Sequence, residues 1–298
     1  MNTLKKHLRT IIIALFSILA ARSAFTHDIW YIDSQSVSWT CATEADFSRI
    51  SYFRLDENRW QRSDAAEFYE THSPEIPLVI FVPGYSATPA DIVEEGMKLS
   101  ALCAQKNIPC RMVFWGWPAR RVYTPLPEDI RAKLPVTAAS ARYLAMFLRR
   151  LPPGSSVSMF GFSFGARIIC DAVELLRNSC PPEIRIRLVL AAPASDRNWL
   201  GEHCRHADVP KIAEKTLILC NANDRALRFY PRLYADGSRP EALGRLGPHY
   251  CTISPEFRSK IETVDVGPYV GGQHRTLPYM DTPPFRRRMG TYLLFADR

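Results

Sequence analysis

Apolar positions along this chain follow two periods that take turns. Six runs are dominated by apolar, β-branched and aromatic residues: 77–82, 111–115, 157–160, 187–192, 216–220 and 261–266. Such runs predict strands buried on both faces. Segments 28–32 and 49–54 are more polar and predict two further strands near the sheet edge. Between the runs the period lengthens to that of a helix. Thr88 and Pro89 supply an N-cap and a first-turn proline, and Ile92, Val93, Met97, Leu99 and Leu102 fall on one side of the helix they open. Tyr143, Met146, Phe147, Leu148 and Leu151 mark a second helix, stopped by Pro152, Pro153 and Gly154. A third begins at Phe164, with Ala166, Ile169, Cys170, Val173 and Leu176 at three- and four-residue spacing.

Strands alternating with helices predict an α/β fold, a mostly parallel sheet with helices on both faces. No repeat or linker divides the chain, so one domain is expected. Two stretches interrupt the pattern, 116–135 and 225–255, both rich in proline and arginine. Long irregular connections of this kind are expected to cap the domain or form a pocket.

The N-terminus is different in kind. Lys5, Lys6 and Arg9 precede the apolar run 11–20, and Ala21 and Ser23 fall at the −3 and −1 positions of a cleavage site. This is the layout of a secretory signal peptide, predicting a leader over 1–23 and a mature domain over 24–298, exported to the periplasm or secreted. Ten apolar residues are short for a membrane span, and no stable span is expected after cleavage. Export also changes the charge. Lys5, Lys6, Arg9 and Arg22 would leave with the leader, so the formal charge falls from +8 to +4. The densest basic cluster is Arg286–Arg288, which reads as a solvated face, and no nucleic-acid partner is expected. The eight cysteines contain no C-x-x-C pair, and no motif calls for a metal or cofactor. Cys170 and Cys220 lie in apolar segments and are expected to be buried thiols.

Candidate chemistry centres on Gly161-Phe-Ser-Phe-Gly165. A predicted strand precedes it and an amphipathic helix follows. In a G-x-S-x-G turn the glycines relieve crowding, and the serine hydroxyl stands above the C-terminal sheet edge at a helix N-terminus. Ser163 is therefore the candidate nucleophile. A serine needs a base, and the downstream candidates are His203, His206, His249 and His274. His274 follows the last predicted strand by eight residues, where a final loop can fold back over the sheet edge. The acid that orients it is Asp224, after strand 216–220, with Asp196, after strand 187–192, as the alternative. Two backbone amides must face the developing oxyanion. Phe164 follows the nucleophile, and Tyr85 lies in the loop after strand 77–82, with Ser86 as a second choice there.

Four stretches then carry a resemblance: 79–85 (VIFVPGY), 114–118 (FWGWP), 161–165 (GFSFG) and 223–227 (NDRAL). With these the chain resembles the α/β-hydrolase superfamily, closest to a bacterial branch with esterase- or lipase-like cores. The resemblance implies a sheet of about eight strands and a Ser-acid-His triad that falls on Ser163, Asp224 and His274, favouring Asp224 over Asp196. One position departs from the family pattern: Pro83-Gly84 stands where His-Gly is usual. Proline removes a side-chain donor and a backbone N–H from that side of the oxyanion hole. The expected activity is hydrolysis of a carboxylic ester on a small or lipid-like acyl substrate. Acyl transfer to another acceptor would use the same groups, and a binding or assembly role on an inactive scaffold is the alternative that Pro83 raises.

Overall fold

The computed structural model describes residues 28–39, 42–122, 125–177, 183–233 and 239–297. The predicted leader over 1–23 lies outside them. Nine strands form one sheet: β1 (Asp28–Asp33), β2 (Ser51–Asp56), β3 (Arg59–Ser63), β4 (Leu78–Val82), β5 (Arg111–Gly116), β6 (Ser156–Phe162), β7 (Arg185–Ala191), β8 (Lys215–Cys220) and β9 (Ile261–Asp265). Their order is β3-β2-β1-β5-β4-β6-β7-β8-β9. From β1 to β9 every neighbouring pair is parallel, and only β1-β2-β3 is an antiparallel meander. The six runs became the parallel strands β4 to β9: β4 to β8 are buried along almost their whole length, while β9, the outer strand, is partly buried.

Four long helices do the covering: α1 (Pro89–Ala104), α2 (Leu126–Leu148), α3 (Phe164–Leu176) and α4 (Pro283–Leu294). Successive strand residues point to opposite faces, which separates the helices into two layers. On β5, Phe114 meets α1 at Gly96, while Trp115 packs on Phe147 of α2. On β6, Phe160 and Ser158 meet Phe285 and Leu293 of α4, while Gly161 meets Ala166 of α3. Thr88 caps α1 as expected, in a capping box with Asp91.

Three elements depart from the sequence expectation. The sheet has nine strands, because Arg59–Ser63 pairs with β2 through a tight turn at Glu57 and Asn58, both at positive φ. Its sequence, RWQRS, is polar because it is a solvated edge. Strand β1 is not near the edge: it lies between β2 and β5, with Ile29 to Ile32 buried. Helix α2 starts at Leu126, inside the stretch 116–135 expected to be irregular. Pro135 sits exposed within the helix while Lys133, Val136 and Thr137 are buried. Among its described residues the stretch 225–255 carries short turns of helix at Leu227–Leu233, Leu243–Leu246 and Tyr250–Thr252. Cys170 and Cys220 are buried. Among the described residues no helix is long and apolar enough to cross a membrane.

The layering is tight where α1 crosses β5. A Cβ built on Gly96 would stand 2.5 Å from the Phe114 ring. Alanine is the better helix former by about 1 kcal/mol, yet overpacking at such a site costs about 1–3 kcal/mol. Gly96→Ala is therefore expected to lower stability in urea unfolding rather than raise it.

Candidate active site

The connection from β4 runs to β5 on one side, whereas that from its other neighbour β6 runs to β7 on the opposite side, so the chain reverses direction between β4 and β6. A crevice opens above the C-terminal ends of strands at such a point. Register places Val82, the end of β4, opposite Gly161 of β6, which brings the loop after β4 beside the turn after β6.

Ser163 occupies that turn, between β6 and α3, at φ 54° and ψ −115°. A positive φ is rare for a residue with a Cβ and persists only where its surroundings enforce it. Two backbone bonds do so from β7 and the segment after it. The Ser163 N–H donates to Ala191 O at 2.9 Å, and Ser163 O accepts from Ala194 N–H at 3.1 Å. The flanking glycines are required by space. A Cβ on Gly161 would lie 2.6 Å from Ala166 N, and one on Gly165 would lie 2.1 Å from Val82 O.

His274 approaches from the loop after β9. Its Nε2 lies 2.9 Å from Ser163 Oγ, and its Nδ1 lies 2.7 Å from Asp224 Oδ2. A carboxylate only accepts, so Nδ1 carries the proton and Nε2 is left to accept from the serine hydroxyl. The ring also packs on Phe162 at 4.9 Å between centroids. Asp224 follows β8 and is fully buried. Both its oxygens are doubly engaged: Oδ1 accepts from the Ala226 and Leu227 amides at 3.0 and 2.9 Å, and Oδ2 accepts from His274 and from Tyr279 Oη at 3.0 Å. Asn221 ties the two loops together, its Nδ2 donating to Gly271 O at 2.8 Å.

The remaining candidates lie elsewhere. Asp196 closes a local turn by accepting from Asn198 N–H at 2.9 Å. His249 is exposed against Asn198, and His203 sits in a turn at positive φ. His206 is buried with its Nε2 2.8 Å from Asp171 Oδ1, and burial holds its pKa down.

The loop Pro83 to Ser86 is held from three points, all contributed by 117–129. Trp117 Nε1 donates to Pro83 O at 2.9 Å, Ser86 N–H donates to Ala119 O at 2.9 Å, and Tyr85 Oη donates to Asp129 Oδ2 at 2.7 Å. The Ser86 amide is engaged by Ala119, whereas the Tyr85 amide beside it is not. Among the described residues neither the Tyr85 nor the Phe164 amide has an acceptor. Asp129 is fully buried and also accepts from Val122 N–H at 2.8 Å. Burial and the Asp129 carboxylate together hold the Tyr85 hydroxyl protonated far above its usual range. Trp117, Asp129, Asn221 and Tyr279 were not singled out from sequence. Only the tryptophan carried a signal, within the 114–118 stretch.

Two cavities meet beside Ser163 and His274. One, of about 200 Å³, is apolar and bounded by Phe164, Ile130 and the Leu227–Leu233 turn. The other, of about 590 Å³, runs along 273–278 and carries Asp91, Glu94 and Glu95. Among the described residues no group of three or more His, Cys, Asp or Glu side chains could hold a metal ion.

Residues 61–274 match the family described as alpha/beta hydrolase of unknown function (DUF900). No curated protein matches the chain. Solved structures that resemble it do so distantly. A putative hydrolase from Agrobacterium vitis is 13% identical over 82% of this chain and 92% of its own, with a TM-score of 0.43. Carboxyl esterase 2 from the fungus Tuber melanosporum is 11% identical over 82% of each chain, with a TM-score of 0.43. The catalytic core of acetyl xylan esterase from Trichoderma reesei is 12% identical over 73% of this chain and 95% of its own, with a TM-score of 0.36.

Glu95 makes one feature of the larger cavity measurable. Burial raises its pKa from 4.5 to about 7, opposed by a hydrogen bond from Thr276 and reinforced by Asp91 and Glu94. The folded state thus keeps a proton between those values that the unfolded chain releases, and stability falls as pH rises through that window. Glu95→Gln is expected to leave Tm unchanged near pH 4 and to raise it by several degrees at pH 8, as read by calorimetry across pH.

Proposed function

The chain belongs to the DUF900 family of α/β-hydrolases, and on that premise we propose that it is a serine hydrolase that cleaves carboxylic esters through an acyl-enzyme. The observation that carries this reading is the unbroken hydrogen-bond chain from Ser163 Oγ through His274 to the buried Asp224 carboxylate. Ser163 Oγ attacks the ester carbonyl carbon as His274 Nε2 takes its proton. The carbonyl oxygen gains the electron pair and is received by the Tyr85 and Phe164 amides. Collapse breaks the bond to the alkoxy oxygen, which takes the proton from His274 Nε2 and departs as the alcohol. Water then attacks the acyl-serine with His274 again as base, releasing the carboxylic acid and restoring Ser163.

Asp224 keeps His274 in the required tautomer and stabilises its charge while it holds the serine proton. Tyr279 and the Ala226 and Leu227 amides hold the carboxylate in place. The leader-like segment at the N-terminus supports action outside the cytoplasm, in the periplasm or after secretion, on a small or lipid-like acyl substrate.

A fluorophosphonate probe is expected to label Ser163 in the folded protein, read by peptide mass spectrometry. Ser163→Ala is expected to lose labelling and to lower ester hydrolysis by about 10⁴-fold or more, and Asp224→Asn by about 10⁴-fold. A folded protein that takes no label and hydrolyses no ester contradicts the reading.

A further inference from the structure

Given the hydrolase reading on which this rests, the two cavities divide the substrate between them. The departing oxygen must receive a proton from His274 Nε2, so the alcohol portion lies on the side of the histidine loop. The larger cavity follows that loop and is walled by Asp91, Glu94 and Glu95. Carboxylates make it unsuited to a hydrocarbon chain. The smaller cavity also touches His274, but unlike the larger one it is lined by Ser163, Phe164 and Ala194, and its outer walls are side chains of Ile130, Leu227, Phe229, Tyr230 and Leu233.

We infer that this apolar chamber is the acyl site and that it selects short- to medium-chain fatty acyl esters over acetyl esters and over long-chain lipids. Its volume of about 200 Å³ sets the scale. At roughly 30 Å³ for a water-sized group, it holds about six or seven methylene-sized groups. Leu227 and Tyr230 are buried and form a fixed wall, whereas Phe229 is half exposed at the rim. Ile130 lies one residue from Asp129, whose carboxylate is bonded to Tyr85 and to the Val122 amide, so this wall does not retreat freely. A chain longer than the chamber meets the buried Leu227 and Tyr230 wall and must bend out past Phe229, which costs chain conformational freedom and draws the ester away from Ser163, so activity falls beyond the chamber's length.

The test is a series of p-nitrophenyl esters from acetate to hexadecanoate, with kcat/KM measured on the full-length protein beside fluorophosphonate labelling of Ser163. Each methylene buried in the chamber is expected to raise kcat/KM about fourfold. The rise should peak between butanoate and octanoate, and activity should be at least about tenfold lower at dodecanoate and beyond. Phe229→Ala, at an exposed position that tolerates truncation, opens the rim and is expected to move the maximum to longer chains. Ile130→Trp fills the chamber and is expected to move it toward acetate while Ser163 still labels. Labelling with a profile that is flat, or that climbs to hexadecanoate, overturns the inference and leaves the hydrolase reading standing. Absence of both labelling and ester hydrolysis overturns the two together.

Discussion

Everything at the candidate site depends on the backbone of Ser163 being held at positive φ. That conformation is unfavourable for any residue with a side chain, so it needs support from outside the turn. The support is tertiary. The Ser163 N–H is bonded to Ala191 and its carbonyl to the Ala194 amide, which makes β7 a brace for the turn after β6. Gly161 and Gly165 allow α3 and the end of β4 to close in until a methyl group would collide with backbone. The hydroxyl is thereby lifted off the sheet edge and offered to His274 before any substrate arrives.

The second constraint lies on the opposite side of the serine. Pro83 stands where the resembling family carries a histidine, and it takes a donor away from the loop after β4. This chain holds the loop in another manner. The Trp117 indole bonds the Pro83 carbonyl, the Ala119 carbonyl takes the Ser86 amide, and Asp129 takes the Tyr85 hydroxyl. These bonds come from 117–129, the stretch that looked irregular because proline and arginine obscure the start of α2. Buried polar partners tie its described parts together: Asp129 satisfies Val122 as well as Tyr85, and buried Lys133 bonds the Pro118 carbonyl at 2.9 Å. A buried polar group without a partner costs roughly 1–3 kcal/mol, so a network in which each member satisfies another specifies one arrangement.

The same logic applies to the acid. Asp224 is fully buried, yet its four bonds distribute the charge over two backbone amides, one phenol and one imidazole. Tyr279 comes from the short helix just after His274, so the segment that carries His274 also carries a group that holds Asp224. Asn221, bonded to Gly271, links the turn of the acid to the start of that loop. His274 and Asp224 are therefore oriented by a shared set of contacts.

The sequence by itself determined the parallel core and the position of the serine turn. Both rest on short-range rules: runs rich in apolar and β-branched residues for the strands, and glycines two before and two after Ser163 between a strand and a helix. It also ranked His274 above His249, because a loop after the last strand can fold back over the sheet edge, while the resemblance to the α/β-hydrolases favoured Asp224 over Asp196. What only the tertiary structure decided is everything set by contacts between distant segments. The polar edge strand β3 has no apolar signal because one side of it meets solvent. The inward place of β1 depends on pairing with β5, more than seventy residues away. Trp117, Asp129, Asn221 and Tyr279 have no motif of their own, since a hydrogen-bonding side chain takes on its role only when folding brings its partner within about 3 Å.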